Sequence, residues 1–138
     1  MPGGDKHFKS GIAEARCIIV ALQLGWEITK PLSDIHPYDF VIRRNTTEGW
    51  KSVQVKAVYI DASGNGGPRR VVSVRRGRTS GKSINRVNKL YTDGDFDFLL
   101  AVDMEDVWLI PWHEIRHFRS VVCPPQFPNY KIIVPRIL

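Results

Sequence analysis

The stretch from residue 38 to residue 60 constrains the fold more than any other. Tyr38 to Arg44 and Trp50 to Ile60 are rich in β-branched and aromatic residues. They flank Asn45-Thr46-Thr47-Glu48-Gly49, five residues with turn chemistry. This pattern predicts a β-hairpin. A hairpin alone is marginal in water, so other elements must cover it. Upstream, Phe8, Ile12, Ala15, Ile19, Leu22 and Trp26 recur at steps of three and four. They predict an amphipathic helix over about 6–24 with that stripe in the core. Asp5 suits its start and Gly25 its end. Trp26 to Lys30 reads as a short strand stopped by Pro31. Downstream, Phe96 to Val102 reads as a buried strand with Val107 to Ile110 as its hairpin partner. Pro111 opens a short helix through about Phe118, and Tyr130 to Val134 is a last strand-like piece between prolines. The order predicts a single α/β (α+β) domain over 1–138, with a mixed central β-sheet flanked by helices.

Composition excludes several classes. At 138 residues the chain is too short for a TIM barrel. Charged residues make up 25% and hydrophobic ones 43%, an ordinary globular balance. The longest uncharged apolar run, Cys17 to Leu22, is too short to span a bilayer. No membrane partner is expected. The first residues lack the shape of a secretory signal, and two cysteines make no disulfide framework. The expected setting is cytoplasmic.

Charge is more informative. The formal net charge is +6 and the pI about 9.6. No acid lies between Asp61 and Asp93, whereas that stretch holds Arg69, Arg70, Arg75, Arg76, Arg78, Lys82, Arg86 and Lys89. Six of those eight are arginine, whose planar fork suits phosphates and guanine edges. Asp93, Asp95, Asp97, Asp103, Glu105 and Asp106 crowd in just afterwards. Segregation of this kind makes a directional field. A solvated basic loop without a partner is the plainer reading. The functional one is a DNA-contacting insertion at about 61–90, in which Ile84, Val87 and Leu90 suggest a short basic helix. On that reading Arg69, Arg70, Arg75, Arg76, Arg78, Lys82 and Arg86 contact the backbone, with at least one arginine on a base edge.

Two motifs tempt and fail. His113-Glu114-Ile115-Arg116-His117 has the HExxH spacing of a zinc helix. No acid or histidine follows His117 to complete the ligands, and Arg116 would put a cation beside the metal. Gly77 to Ser83 resembles a phosphate-binding loop, yet Arg76 stands where the first glycine is required.

A third constellation is different. Asp39 lies near the start of one hairpin strand. Gln54 and Lys56, two apart on the other, share one sheet face, with Val53 and Val55 facing the core. Glu14 sits on the flank of the first helix. Read alone, Gln54 and Lys56 fit equally well the wet face of an edge strand.

Glu14, Pro37-Tyr38-Asp39 and Gln54-Val55-Lys56, in this order and setting, resemble the PD-(D/E)XK nuclease superfamily. The likeness is strongest to its small intron-encoded homing endonucleases, whose third motif reads QxK. It runs from about Gly11 to Trp112. It implies a restriction-endonuclease-like core and a metal-dependent, site-specific double-strand DNA endonuclease hydrolysing phosphodiester bonds, in a bacterial or phage-like setting. It further implies Mg²⁺, with Mn²⁺ as a substitute, held by Asp39, Glu14 and the Val55 backbone carbonyl, and no small-molecule cofactor. Lys56 would orient the attacking water, and Gln54 stands where most of the superfamily has an acid. One site cuts one strand, so a homodimer or higher homo-oligomer is expected on double-stranded DNA. A Holliday junction resolvase-like nuclease and a non-catalytic DNA-binding relative are the alternatives.

Overall fold

The structure is a computed structural model that describes residues 5–33, 35–75 and 90–135, with side chains from residue 10 onward. Its frame is a six-stranded mixed sheet in the order β1-β2-β3-β6-β7-β9. The strands are β1 (Glu27–Thr29), β2 (Phe40–Arg43), β3 (Trp50–Ala57), β6 (Phe98–Val102), β7 (Val107–Pro111) and β9 (Lys131–Ile132). The predicted hairpin is β2 and β3, paired antiparallel from Arg43↔Trp50 to Phe40↔Val53, with Gly49 at φ 77° closing the turn. β3 runs parallel to β6, which pairs antiparallel with β7. β6 and β7 are buried on both faces, as their unbroken apolar runs require.

Helix α1 (Asp5–Gln23) covers one face, packing Ala13, Cys17 and Val20 on Phe40, Ile42, Val53, Val55, Leu100 and Leu109. This corrects the predicted stripe. Ile12 and Ile19 are half exposed, Leu22 is 66% exposed, and Ala15 is exposed too. α1 is apolar on two faces, and periodicity cannot choose between them. Small Ala13 and Ala21 let the helix sit close to the sheet. Its polar flanks fix the rotation: Arg16 donates to the carbonyls of Asp103, Met104 and Glu105, and Glu14 pairs with Lys30 at 3.3 Å.

The other face carries a second core of Leu99, Ala101, Trp108 and Ile110 with Val72, Val74, Tyr91, Phe96, Ile115 and Val122. Much of this layer comes from a small sheet in the order β4-β5-β8: β4 (Tyr59–Asp61), β5 (Arg69–Ser73) and β8 (Val121–Val122). The run expected as one strand from Trp50 to Ile60 therefore splits at Val58. The Val58 amide makes one more bond to the Val102 carbonyl (2.8 Å), where β6 ends. With no neighbour left to pair, the chain turns away and β4 joins β5. Helix α2 (Trp112–Ile115) is a single turn rather than a helix to Phe118. His117 lies past its end, so the two histidines do not share a helix face. Most of the expected basic helix and the loop Gly77–Ser83 lie outside the described residues, and the last member of that helix's stripe, Leu90, is not helical but bridges Arg75.

Candidate active site

The hairpin register assembles the site. The Asp39 amide donates to the Val53 carbonyl (2.8 Å), one step beyond Phe40↔Val53, which sets Asp39 beside Gln54. Asp39 Oδ2 accepts from the Val55 amide (2.8 Å) and from Gln54 Nε2 (3.0 Å). Among the described residues no hydrogen bond uses Oδ1. Gln54 Nε2 also reaches the Val55 carbonyl at 3.4 Å, so the amide is held by its nitrogen. Lys56 follows on the same face of β3. Its Nζ donates to the Arg75 carbonyl (3.3 Å) and lies 5.5 Å from the centre of the Tyr91 ring.

Glu14 and Asp39 line one cleft with Lys30, Ser33, His36 and Tyr38. His36 stacks on Tyr38 with ring centres 5.0 Å apart. Tyr38 belongs to the Pro37-Tyr38-Asp39 motif, whereas Lys30 and His36 were not picked out by sequence pattern. The signal available was their place directly before Pro31 and Pro37, just ahead of Asp39.

The electrostatics are those of under-neutralised acid. Burial pushes the Asp39 carboxyl above the ordinary carboxylate range, and Glu14 adds to this. The Val55 amide, Lys56 and Lys30 oppose it. Cys17, beneath the site in the core, is pushed up to about 12, first by burial and then by the charges of Asp39 and Glu14. Burial lowers Lys56, while Asp39 pulls the other way. A neutral Gln54 keeps a third charge out of this crowd. The oxygen set of Asp39, Glu14, the Val55 carbonyl and Gln54 Oε1 suits a hard divalent cation, whose charge would relieve the mutual repulsion.

The remaining predicted residues are dispersed. Arg70 is engaged internally, donating to Asp103 (2.8 Å) and Asp106 (3.3 Å) with its guanidinium 5.5 Å from the Trp108 ring centre. Arg69 pairs with Asp61 at 3.4 Å. Arg75 stands at the base of the basic stretch, bridged to Leu90. Arg76, Arg78, Lys82 and Arg86 lie outside the described residues. Among the described residues no group of three or more acids, histidines or cysteines could hold a metal, so the HExxH spacing makes no centre.

A model of the PD-(D/E)XK endonuclease family matches residues 5–123, a span that includes Glu14, Asp39, Gln54 and Lys56. The chain belongs to that family. A bacterial homing endonuclease, I-Ssp6803I, has a similar structure: TM-score 0.67 at 33% identity, over 85% of this chain and 76% of that one. No curated protein matches. The six-stranded mixed sheet with α1 on one face is thus a PD-(D/E)XK nuclease fold. The protein is a nuclease, and nucleases of this family generally use divalent metals.

Proposed function

We propose that the protein is a Mg²⁺-dependent, site-specific endonuclease that cuts both strands of duplex DNA, in the manner of a homing endonuclease. The observation that carries this reading is the Asp39 carboxylate, clamped through Oδ2 by Val55 and Gln54 with Oδ1 left over, one residue pair from Lys56. It supports the reading together with the likeness to a bacterial homing endonuclease. Asp39, Glu14, the Val55 carbonyl and Gln54 Oε1 would hold the cation. When bound, Mg²⁺ polarises the phosphoryl oxygen and lowers the pKa of its water.

The chain's own residues do the rest. Val55 and Gln54 fix the Asp39 rotamer, so the carboxylate is preorganised. The Lys56 ammonium, held by the Arg75 carbonyl, sets a positive charge where the pentavalent phosphate gains negative charge. Lys30 faces the same cleft and balances Glu14.

Two cuts need two sites, and we propose that the second comes from another copy. The outer face of α1 supports this: Ile12, Ala15, Ile19 and Leu22 repeat at three and four residues and are all exposed. A stripe at this spacing is self-complementary in a two-fold helix pair. Replacing Ile19→Asp and Leu22→Asp should convert a dimer or larger assembly to the 15.7 kDa monomer in sedimentation. A wild-type monomer at micromolar concentration would remove this part of the proposal. The nuclease reading is tested by incubating a randomised duplex library with Mg²⁺ and sequencing the cut ends. Recovery of one preferred site supports it. Cleavage at branch points regardless of sequence would favour a junction resolvase, and binding without cleavage a non-catalytic relative.

A further inference from the structure

α2 stops at Ile115, so Arg116, His117 and Arg119 fall on the turn that follows. All three line one cleft with Leu90 and Tyr91. Tyr91 is also the ring beneath the Lys56 ammonium, so this cleft and the active site share a wall. The β5–β8 ladder adds a third arginine. Val72 pairs with Val122 and Ser73 with Val121, and the Val74 amide bonds the Ser120 carbonyl at 2.9 Å. The ladder ends there. Arg75, next after Val74 and bridged to Leu90 of the cleft, leaves β5 close to where Arg119 leads into Ser120.

Elsewhere among the described residues the arginines have partners within the chain. Arg43, Arg44, Arg69 and Arg70 each have a carboxylate, and Arg16 has three backbone carbonyls. No ion pair among the described residues involves Arg75, Arg116 or Arg119. Arg116 and Arg119 line the cleft beside Tyr91, and Arg75 gives its carbonyl to Lys56, so an external anion there would balance arginines that have no acid. A guanidinium binds phosphate through two parallel bonds and keeps its charge at any working pH.

We infer that Arg75, Arg116 and Arg119 form a backbone-binding cradle for DNA phosphates next to the scissile one, on the Lys56 side of the site. This rests on the nuclease reading and adds a DNA contact beyond the basic stretch 61–90. The cradle holds the strand through phosphates, so it acts on every sequence alike.

The test is binding of a mixed-sequence 30-base-pair duplex, without divalent cation, across a salt series, with melting curves of each protein. Changing Arg116→Gln and Arg119→Gln together should reduce the slope of log K against log salt by about 1.8, roughly 0.9 per phosphate. Affinity near 0.1 M salt should fall by roughly tenfold or more. The melting temperature should hold, because neither arginine has an ion pair to lose among the described residues. The pair Arg116→Lys with Arg119→Lys keeps both charges and should keep the slope. If the glutamine variant binds with wild-type affinity and slope, or the lysine variant loses as much slope, the cradle is wrong and the nuclease reading stands. If the wild type itself shows no salt-dependent duplex binding, the proposed action on duplex DNA falls and the cradle falls with it.

Discussion

Gln54→Glu restores the acid that most of the superfamily carries, and its effect on the metal-free protein follows from the geometry. Gln54 Nε2 donates to Asp39 Oδ2 at 3.0 Å. A glutamate there removes the donor and sets two carboxylates against each other. A hydrogen bond to a charged group is worth about 1.5–3 kcal/mol. Two like charges 4 Å apart repel by at most about 4 kcal/mol at an effective dielectric of 20, and uptake of one proton caps that. A net loss of about 2–4 kcal/mol at pH 8 in EDTA is expected. At roughly 2–4 °C per kcal/mol for a domain near this size, Tm drops by about 4–16 °C. The acid pair shares a raised pKa in the folded state. The native protein then holds a proton that the unfolded chain releases, so stability is lost as pH rises through that window and returns on acidification toward pH 5. A cation bound at 100 times its Kd returns about 2.7 kcal/mol. Thermal melts of wild type and variant in EDTA and in Mg²⁺, at pH 5 and pH 8, measure all of this. A Tm within about 1 °C of wild type in EDTA at pH 8, or an equal Mg²⁺ shift in both proteins, would refute the reasoning.

Three further outcomes are expected. Lys30→Met removes the ammonium that competes for Glu14, and exposed pairs are worth about 0.2–1 kcal/mol. Titration calorimetry should therefore show Ca²⁺ or Mg²⁺ bound about one and a half to fivefold more tightly. Asp39→Asn keeps an acceptor for the Val55 amide but removes a carboxylate whose pKa is raised by burial and by Glu14. In the wild type that carboxyl makes stability fall as pH climbs past the ordinary carboxylate range, so the variant should be more stable at pH 7, with a flatter pH profile in urea melts. Arg70→Ala breaks the contacts to Asp103, Asp106 and the Trp108 ring, and should cost about 1 kcal/mol of stability while leaving duplex affinity within twofold.

The hairpin was legible because alternation, turn residues and length agreed over residues 38–60. The site followed, since Asp39, Gln54 and Lys56 are fixed by that register. The rotation of α1 was not legible. Both of its faces are apolar, and the deciding contacts come from the 103–105 carbonyls, far away in sequence, and from Lys30 just past β1. The small sheet was half hidden for a similar reason. β8 is two residues long and exists only because β5 offers an edge. The acid-rich run after residue 92 looked like one charge block. In the fold it is mostly structural: Asp95 bonds the Thr92 amide, Asp97 bonds the Ser52 amide, and Asp103 and Asp106 hold Arg70. Arg116 lay inside a zinc-like motif and Arg119 two residues past it, and nothing in the pattern hinted that they lack acids.

The central claim is that Asp39 and Lys56 perform phosphodiester hydrolysis at the hairpin site. Single-turnover cleavage of the duplex recovered from the library tests it most directly, with wild type, Asp39→Asn and Lys56→Met compared in Mg²⁺ and their binding to the same duplex measured in Ca²⁺. Each variant should bind within a few-fold of wild type and cleave at least about 10²-fold more slowly, the scale of losing one group that stabilises transition-state charge. Cleavage by either variant at the wild-type rate would contradict the assignment.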